Sequence, residues 1–267
     1  INNVVDATNY VLHELNQPLH AYDLATLKGP AVIARKAKAG ETIRTLDGVE
    51  RKLTEGMCVI ADAERAIGLG GIIGGAETEV TNGTTDVLLE CAWFTPSGIR
   101  KTRRALGLST DASQRYERGA DLWGSTDGFR RGLELILTVA GGTIEGTPVD
   151  VWPVVTHPPR IFLRLARVTQ VLGIELPLRA VETALVNIGA TVVAKPADGR
   201  LAVDVPGWRP DLVAEIDLVE EVARQYGFER IPSDVRPFRL GLQADADDWT
   251  AAGRVRAGMV ALGLLET

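Results

Sequence analysis

The amino-acid sequence predicts an α+β fold in three consecutive parts. These are a mixed-sheet domain, a small winged-helix-like domain and the beginning of a further domain. Three observations predict it. Short apolar runs bounded by turn residues alternate with helical periodicity early in the chain, as strands and helices sharing one core do. A Pro-rich stretch, Trp152-Pro153-Val154-Val155-Thr156-His157-Pro158-Pro159, then interrupts the pattern and favours extended backbone. Beyond it come shorter helices around a β hairpin, and finally an acidic run before one more helix.

The elements follow in order. Ala31-Val32-Ile33-Ala34 reads as a strand. Residues 41–46 alternate and meet Asp47-Gly48, a hairpin dipeptide, so residues 49–53 are expected to return as the partner strand. Residues 58–61 and 87–92 read as buried strands. Helical patterns are expected over residues 95–106 and 122–140, the second stopped by Gly141-Gly142. After the Pro-rich linker, residues 167–172 end at Gly173 and residues 178–188 at Gly189. Residues 190–194 and 201–205 flank a turn at Asp198-Gly199, and a long helix is expected to start near Pro210-Asp211. From about Ser233, the acidic run 244–248 precedes an amphipathic helix over residues 249–262.

Bulk properties narrow the function. The chain has 267 residues, 45% hydrophobic and 24% charged, which fits a soluble globular chain of one to two domains. It has no run of ~18 apolar residues, so no membrane helix is expected, and no basic-then-apolar leader. It begins at Ile1 rather than Met and stops just after an apolar helical pattern, so it is expected to be an excised fragment. Cys58 and Cys91 have no metal-ligand spacing and apolar neighbours, which predicts reduced core thiols in a cytosolic protein. The net charge of −6 argues against a coat of non-specific nucleic-acid contacts. A local basic cluster remains: Arg100, Lys101, Arg103 and Arg104, then Arg115 and Arg118. A solvated helix face and a nucleic-acid contact both fit it.

Two groups of residues carry candidate chemistry. On the long helix, at 100° per residue, Ile216, Val219, Val222, Ala223 and Tyr226 share one face, and Asp217, Glu220 and Glu221 are expected on the opposite one. Asp211 can turn toward the same side. Carboxylates at this spacing repel, and a solvated acidic face or a hard divalent cation are the two readings. In the first part, the string 68–77 holds five glycines, which allow close backbone approach to a ligand. It has neither phosphate-loop nor dinucleotide spacing. His20 reads as a structural or a catalytic histidine, and Thr110 to Ser113 as a helix cap. Glu90 lies within an apolar strand pattern, Val87-Leu88-Leu89-Glu90-Cys91-Ala92. A buried carboxylate needs a partner or a function.

Five strings together resemble one family. They are Val4-Val5-Asp6-Ala7-Thr8-Asn9-Tyr10-Val11, Gln17-Pro18-Leu19-His20-Ala21-Tyr22-Asp23 and Leu88-Leu89-Glu90-Cys91-Ala92, then residues 110–119 and Asp217-Leu218-Val219-Glu220-Glu221-Val222-Ala223. In order and spacing they are similar to the β subunit of bacterial phenylalanine–tRNA ligase over nearly the whole chain. The resemblance implies that residues 1–154 are an editing domain that hydrolyses tyrosine mistakenly attached to tRNA(Phe). Residues 160–232 would be the small domain after it, and residues 233–267 the beginning of a catalytic-like inactive domain. A site made of Thr8, Asn9, His20, Gly74, Gly75, Glu90, Thr110 and Ala112 is implied. Glu90 and His20 would read the tyrosine phenol and order the substrate. Thr110 or His20 would help hold a water, and Gly74 and Ala112 would keep the pocket open. Asp211, Asp217, Glu220 and Glu221 match positions for Mg2+ shared with the α subunit. The synthetic site, which uses ATP, belongs to that α subunit, with which the intact enzyme forms a cytoplasmic α2β2 heterotetramer. The expected logic is that a correct phenylalanine leaves a buried Glu90 unpaired, whereas a phenol satisfies it. A scaffold and tRNA-binding module with a degenerate pocket is the alternative.

Overall fold

The structure, a computed structural model, describes residues 2–194, 199–232 and 245–265. The chain divides into two compact units, Ile1–Phe228 and Glu229–Thr267.

The first unit opens with α1 (Asn3–Leu15), capped by Asn2, whose side-chain oxygen accepts from the Val5 amide at 2.9 Å. It ends where Asn16 turns left-handed, φ 56°. Strands β1 (Leu19–Asp23), β2 (Ile33–Lys36), β3 (Thr42–Arg44), β4 (Glu50–Lys52), β5 (Cys58–Ala61), β6 (Ala66–Leu69), β7 (Ile73–Gly74) and β8 (Val87–Cys91) follow. Then come α2 (Pro96–Leu106), α3 (Asp111–Arg118) and α4 (Ser125–Ala140). Strands β2-β5-β6-β7 form a four-stranded sheet, β3-β4 a ribbon and β1-β8 a second ribbon. All these pairings are antiparallel, and in β3-β4, β5-β6 and β6-β7 the connecting turns are too short for parallel crossovers. The expected mixed sheet is therefore a set of antiparallel ones, within the expected α+β class. The core beneath them gathers Tyr22, Ile43, Val59, Ile67, Leu69, Phe94, Ile99 and Tyr116.

The Asp47-Gly48 hairpin forms as expected, with Thr42 opposite Lys52 and Gly48 at φ 78°. The strand expected at 31–34 is displaced: β2 runs Ile33–Lys36, and Val32 and Ile33 are exposed. Strand β8 was expected to be buried and is half-buried throughout, because its ribbon has only two strands. Cys58 and Cys91, expected in the core, are likewise half-buried and free.

After the Pro-rich stretch come β9 (Arg160–Arg164), α5 (Leu165–Leu172), α6 (Leu178–Asn187), β10 (Thr191–Ala194), β11 (Arg200–Asp204) and α7 (Glu215–Tyr226). The sheet order is β10-β11-β9. A separate core holds Leu163, Val168, Val181, Leu185, Leu201, Val203, Leu218, Val219 and Val222. Helix α7 begins at Glu215, not near Pro210, and Asp211 lies in the turn before it. Asp198 of the expected turn lies outside the described residues. Segments flanking the two cores meet: Trp123 Nε1 donates to the Thr156 carbonyl of the Pro-rich stretch at 3.1 Å, and Gly119 abuts Pro210.

In the second unit, α8 (Asp247–Ala261) contains no buried residue. The amphipathic face expected there is not formed, since Trp249, Val255, Met259 and Val260 are all exposed. Residues 233–244, where the third part was expected to begin, lie outside the described set.

Candidate functional site

The site grows from the β1-β8 ribbon. His20 and Glu90 are directly opposed in its register, so both side chains leave the same face. Two residues on, Tyr22 shares that face. Tyr22 Oη donates to Glu90 Oε2 at 2.5 Å, and the His20 and Tyr22 rings stand edge to face, centroids 4.5 Å apart. A small cavity of about 70 Å³ opens beside them. It is lined by Pro18, Leu19, His20, Tyr22, Glu90 and Tyr116, by the glycine-rich stretch 68–74, and by Phe94 and Ala112. That volume exceeds the ~10–15 Å³ needed to hold a water but falls short of the ~150 Å³ that accepts benzene.

Electrostatics follow from enclosure. Burial lowers the His20 imidazole from 6.5 to about 4, so it is neutral at neutral pH. Its Nε2 is buried without a hydrogen-bond partner among the described residues. Burial pushes the Glu90 carboxyl up, opposed by the Tyr22 bond. The Tyr22 phenol is raised by burial and by Glu90, so it remains a proton donor. Burial also pushes the Cys91 thiol up to about 12; neither this thiol nor Cys58 is poised as a nucleophile.

The expected pocket is only partly assembled. His20, Gly74, Glu90 and Ala112 meet at the cavity. Gly74 is required less to leave space than to let the His20 ring pack on the strand: a Cβ there would overlap the imidazole. Gly75, its neighbour, faces the other way, as alternation demands. It lines a separate, larger cleft of about 370 Å³ with Arg44, Glu50, Arg65 and Glu77. A Cβ on Gly75 would sit 2.6 Å from the Ile67 carbonyl oxygen. Neither His20 nor Glu90 reaches that cleft; both line the smaller cavity. Thr8 is buried on α1, its hydroxyl donating to the Val5 carbonyl at 2.8 Å, and Asn9 is exposed; neither lines the cavity. Thr110 caps α3, accepting from Ser113 N at 3.1 Å, and donates to the Ile72 carbonyl at 2.7 Å. Its hydroxyl braces the glycine-rich stretch instead of lining the cavity.

The largest correction concerns Glu90. It was expected to lack a partner until a phenol arrived, but Tyr22 supplies one from within the chain. Tyr22 lies inside the string Gln17-Pro18-Leu19-His20-Ala21-Tyr22-Asp23. Its role had a signal in the alternation of His20 and Tyr22 along a strand, but only once β1 is paired with β8.

The four acidic residues near α7 do not converge on an exposed face. Glu221 is buried at 5% exposure, whereas Ile216, expected inside, is 46% exposed. The cause is an arginine cluster. Arg209 Nη2 donates to Glu221 at 2.7 Å and to Asp211 at 2.6 Å, and Arg224 also pairs with Glu221. Burial resists ionisation of Glu221, but these arginines outweigh it and hold its carboxyl below the usual range. The Arg209 bond likewise lowers Asp211. Asp217 accepts from the Val213 and Ala214 amides at 2.9 and 2.7 Å, closing the first turn of α7. Among the described residues no group of three or more potential metal-ligating side chains converges. With two carboxylates neutralised by arginine and one occupied by amides, the set as arranged does not fit a Mg2+ cage.

An antiparallel α+β domain with an enclosed carboxylate–histidine pair, followed by a winged-helix-like core, is the class these features define. Residues 1–141 match the B3/4 domain and residues 161–228 the tRNA synthetase B5 domain. The chain belongs to the B3/4 domain family. It corresponds to a segment of phenylalanine–tRNA ligase β subunits. It is 43% identical over 266 residues to that subunit from Carboxydothermus hydrogenoformans and 44% over 269 residues to that from Moorella thermoacetica. Each alignment covers 100% of this chain and 33% of the relative, so the chain spans about a third of the length of the curated relatives it matches. With the Salinibacter ruber subunit the identity is 45% over 88% of this chain and 28% of the relative. The crystal structure of an N-terminal fragment of the phenylalanyl-tRNA synthetase β subunit from Pyrococcus horikoshii gives a TM-score of 0.42 at 15% identity, covering 84% of this chain and 65% of that one. No helix among the described residues is long and apolar enough to cross a membrane.

Proposed function

We propose that this chain is the proofreading segment of a phenylalanine–tRNA ligase β subunit and hydrolyses the ester of tyrosine wrongly attached to tRNA(Phe). The observation that carries the reading is the opposed pair of His20 and Glu90 at a cavity floored by glycines and edged by Ala112. Once the cavity of about 70 Å³ widens to admit the ring, the phenol of a mischarged tyrosine would donate to the Glu90 oxygen that Tyr22 leaves free. His20, neutral and with Nε2 unpartnered, would bond the attacking water or the substrate. The water oxygen adds to the ester carbonyl carbon, the bond to the ribose oxygen breaks, and tyrosine and a free tRNA 3′ end are released. A histidine at about 4 is too weak a base to dominate at neutral pH, so we assign it positioning.

Tyr22 changes the selectivity argument. When phenylalanine enters, Glu90 keeps one bond, so rejection is expected to fall short of the ~10⁴–10⁵ reached by sites whose polar group is left bare. In the whole enzyme the synthetic step, with ATP and Mg2+, is assigned to the α subunit of an α2β2 assembly in the cytoplasm. Residues 1–154, 160–232 and 233–267 are then the editing domain, the small domain after it and the opening of an inactive catalytic-like domain. A second reading, a tRNA-binding scaffold with a degenerate pocket, is favoured by the small cavity and by Tyr22 already holding Glu90. The deciding measurement is hydrolysis of tyrosyl-tRNA(Phe) by the full-length enzyme beside its Glu90→Ala variant. Editing requires that wild type clear it at least tenfold faster; equal slow clearance leaves only the scaffold.

A further inference from the structure

We infer that the outward face of α2 is where the phosphodiester backbone of the RNA lies while its aminoacylated end occupies the cavity. This rests on the editing reading and adds to it the surface that delivers the substrate.

Helix α2 carries four cations, Arg100, Lys101, Arg103 and Arg104, and no Asp or Glu. Ile99 and Thr102 are its buried side chains, and Arg103 turns inward to Glu117 at 3.3 Å. Arg100, Lys101 and Arg104 are exposed and fall within one sector at 100° per residue. Arg100 donates only to the Glu117 backbone carbonyl, at 3.1 Å, which leaves its charge uncompensated. Neither Lys101 nor Arg104 forms an ion pair with any described residue, and the same holds for exposed Arg118 at the end of α3.

Several arginines elsewhere are neutralised by a carboxylate. Arg35 pairs with Glu41, Arg131 with Glu14, Arg160 with Asp204 and Arg164 with Glu215. In a chain of net charge −6, Arg100, Lys101 and Arg104 put three uncompensated cations into one sector of a single helix that carries no acid. The helix C-terminus favours Arg103 and Arg104, but Arg100 and Lys101 lie too early to gain from it. Like charges at positions 100 and 104 repel along the helix, and a polyanion would relieve that.

The face adjoins the cavity through shared structure. Gly107 ends α2, and α3 places its second residue, Ala112, in the cavity wall. Ile99, beneath the basic face, packs against Gly71 of the cavity floor. A cavity of about 70 Å³ leaves no room for a nucleotide, even if it widens to admit an aromatic ring, so the nucleic acid must lie outside it on a neighbouring surface.

The test uses the full-length enzyme with Arg100→Glu, Lys101→Glu and Arg104→Glu combined, and in parallel the milder change of all three to Gln. Two substrates are compared, tyrosyl-tRNA and the small ester 3′-tyrosyl-adenosine. With tyrosyl-tRNA, KM is expected to rise tenfold or more for the Glu variant and less for the Gln variant, with kcat retained. The slope of log kcat/KM against log salt is expected to shrink by about two, as for three lost contacts to a single strand. Hydrolysis of the small ester stays unchanged. Wild-type KM and salt slope in both variants overturn the inference. If wild type hydrolyses neither substrate, the editing reading fails; binding of uncharged tRNA then decides the surface, a reduced salt slope supporting it and an unchanged one removing it.

Discussion

At the scale of single residues, the site is a carboxylate in need of a donor. Tyr22 Oη meets that need at 2.5 Å, so Tyr22→Phe leaves Glu90 without its internal partner. An unsatisfied buried acceptor costs about 1–3 kcal/mol. Because burial already favours the protonated Glu90, the loss should be largest at pH 8 and smaller at pH 5. Urea unfolding of both proteins at the two pH values reads this directly; a pH-independent loss would assign Tyr22 to packing alone. Glu90→Gln should keep an acceptor for Tyr22 and hence the fold, while selectivity for tyrosyl over phenylalanyl ester collapses. His20 predicts a second dependence. Its folded value is depressed to about 4 from 6.5, so the unfolded chain binds the extra proton first. The stability present above pH 6.5 is therefore lost as pH falls toward 4, by about 3 kcal/mol at 1.36 kcal/mol per unit. His20→Gln should flatten that part of the stability profile; an unaltered profile would place the acid sensitivity elsewhere.

Elements were legible in the sequence where their signals are local. Asp47-Gly48 announced the β3-β4 hairpin, Gly141 the end of α4, and the apolar spacing of residues 178–188 announced α6. The site's wiring was not, because it is made by long-range pairing. His20 and Glu90 are brought together only by the β1-β8 register, and no periodicity in either strand names the other. The same limit explains α7. Its acidic triplet was read as solvent-facing, but the residue that draws Glu221 inward is Arg209, outside the helix, in the preceding turn. This yields a prediction for the element. Arg209→Ala should cost about 1–3 kcal/mol by leaving Glu221 with Arg224 alone. It should also create a metal response that is expected to be absent in wild type, since Asp211 and Glu221 lose their shared cation. Thermal melts with and without millimolar Mg2+ check both parts. A rise of several degrees in wild type, matched by none in the variant, would show that the carboxylates bind metal as they stand.

For the whole molecule, the question is whether the two cores of the first unit act together. Each has its own apolar cluster, yet they belong to one compact unit. The joint is narrow and specific. Asp121 and Trp123, at the entrance to α4, meet Gly207 in the loop after β11, where a Cβ would overlap the Asp121 carboxylate. That carboxylate cannot swing aside freely, because its Oδ1 holds the Trp123 amide at 3.0 Å. Gly207 is not among the glycines with positive φ, so Gly207→Ala introduces steric pressure at the joint and little backbone strain. Overpacking of this kind typically costs about 1–3 kcal/mol. If the joint couples the cores, wild type should unfold in one transition, and Gly207→Ala should divide it. Amides of β11 and α6 would then exchange at lower denaturant than those of β5 and β6. Hydrogen exchange across a urea series follows both sets in one sample. Two sets that already separate in wild type, and do not move further apart in the variant, would mean that the cores fold independently. The contact at Gly207 would then set only their mutual orientation, and with it the placement of the arginine-bound acids of α7 beside the domain that carries His20 and Glu90.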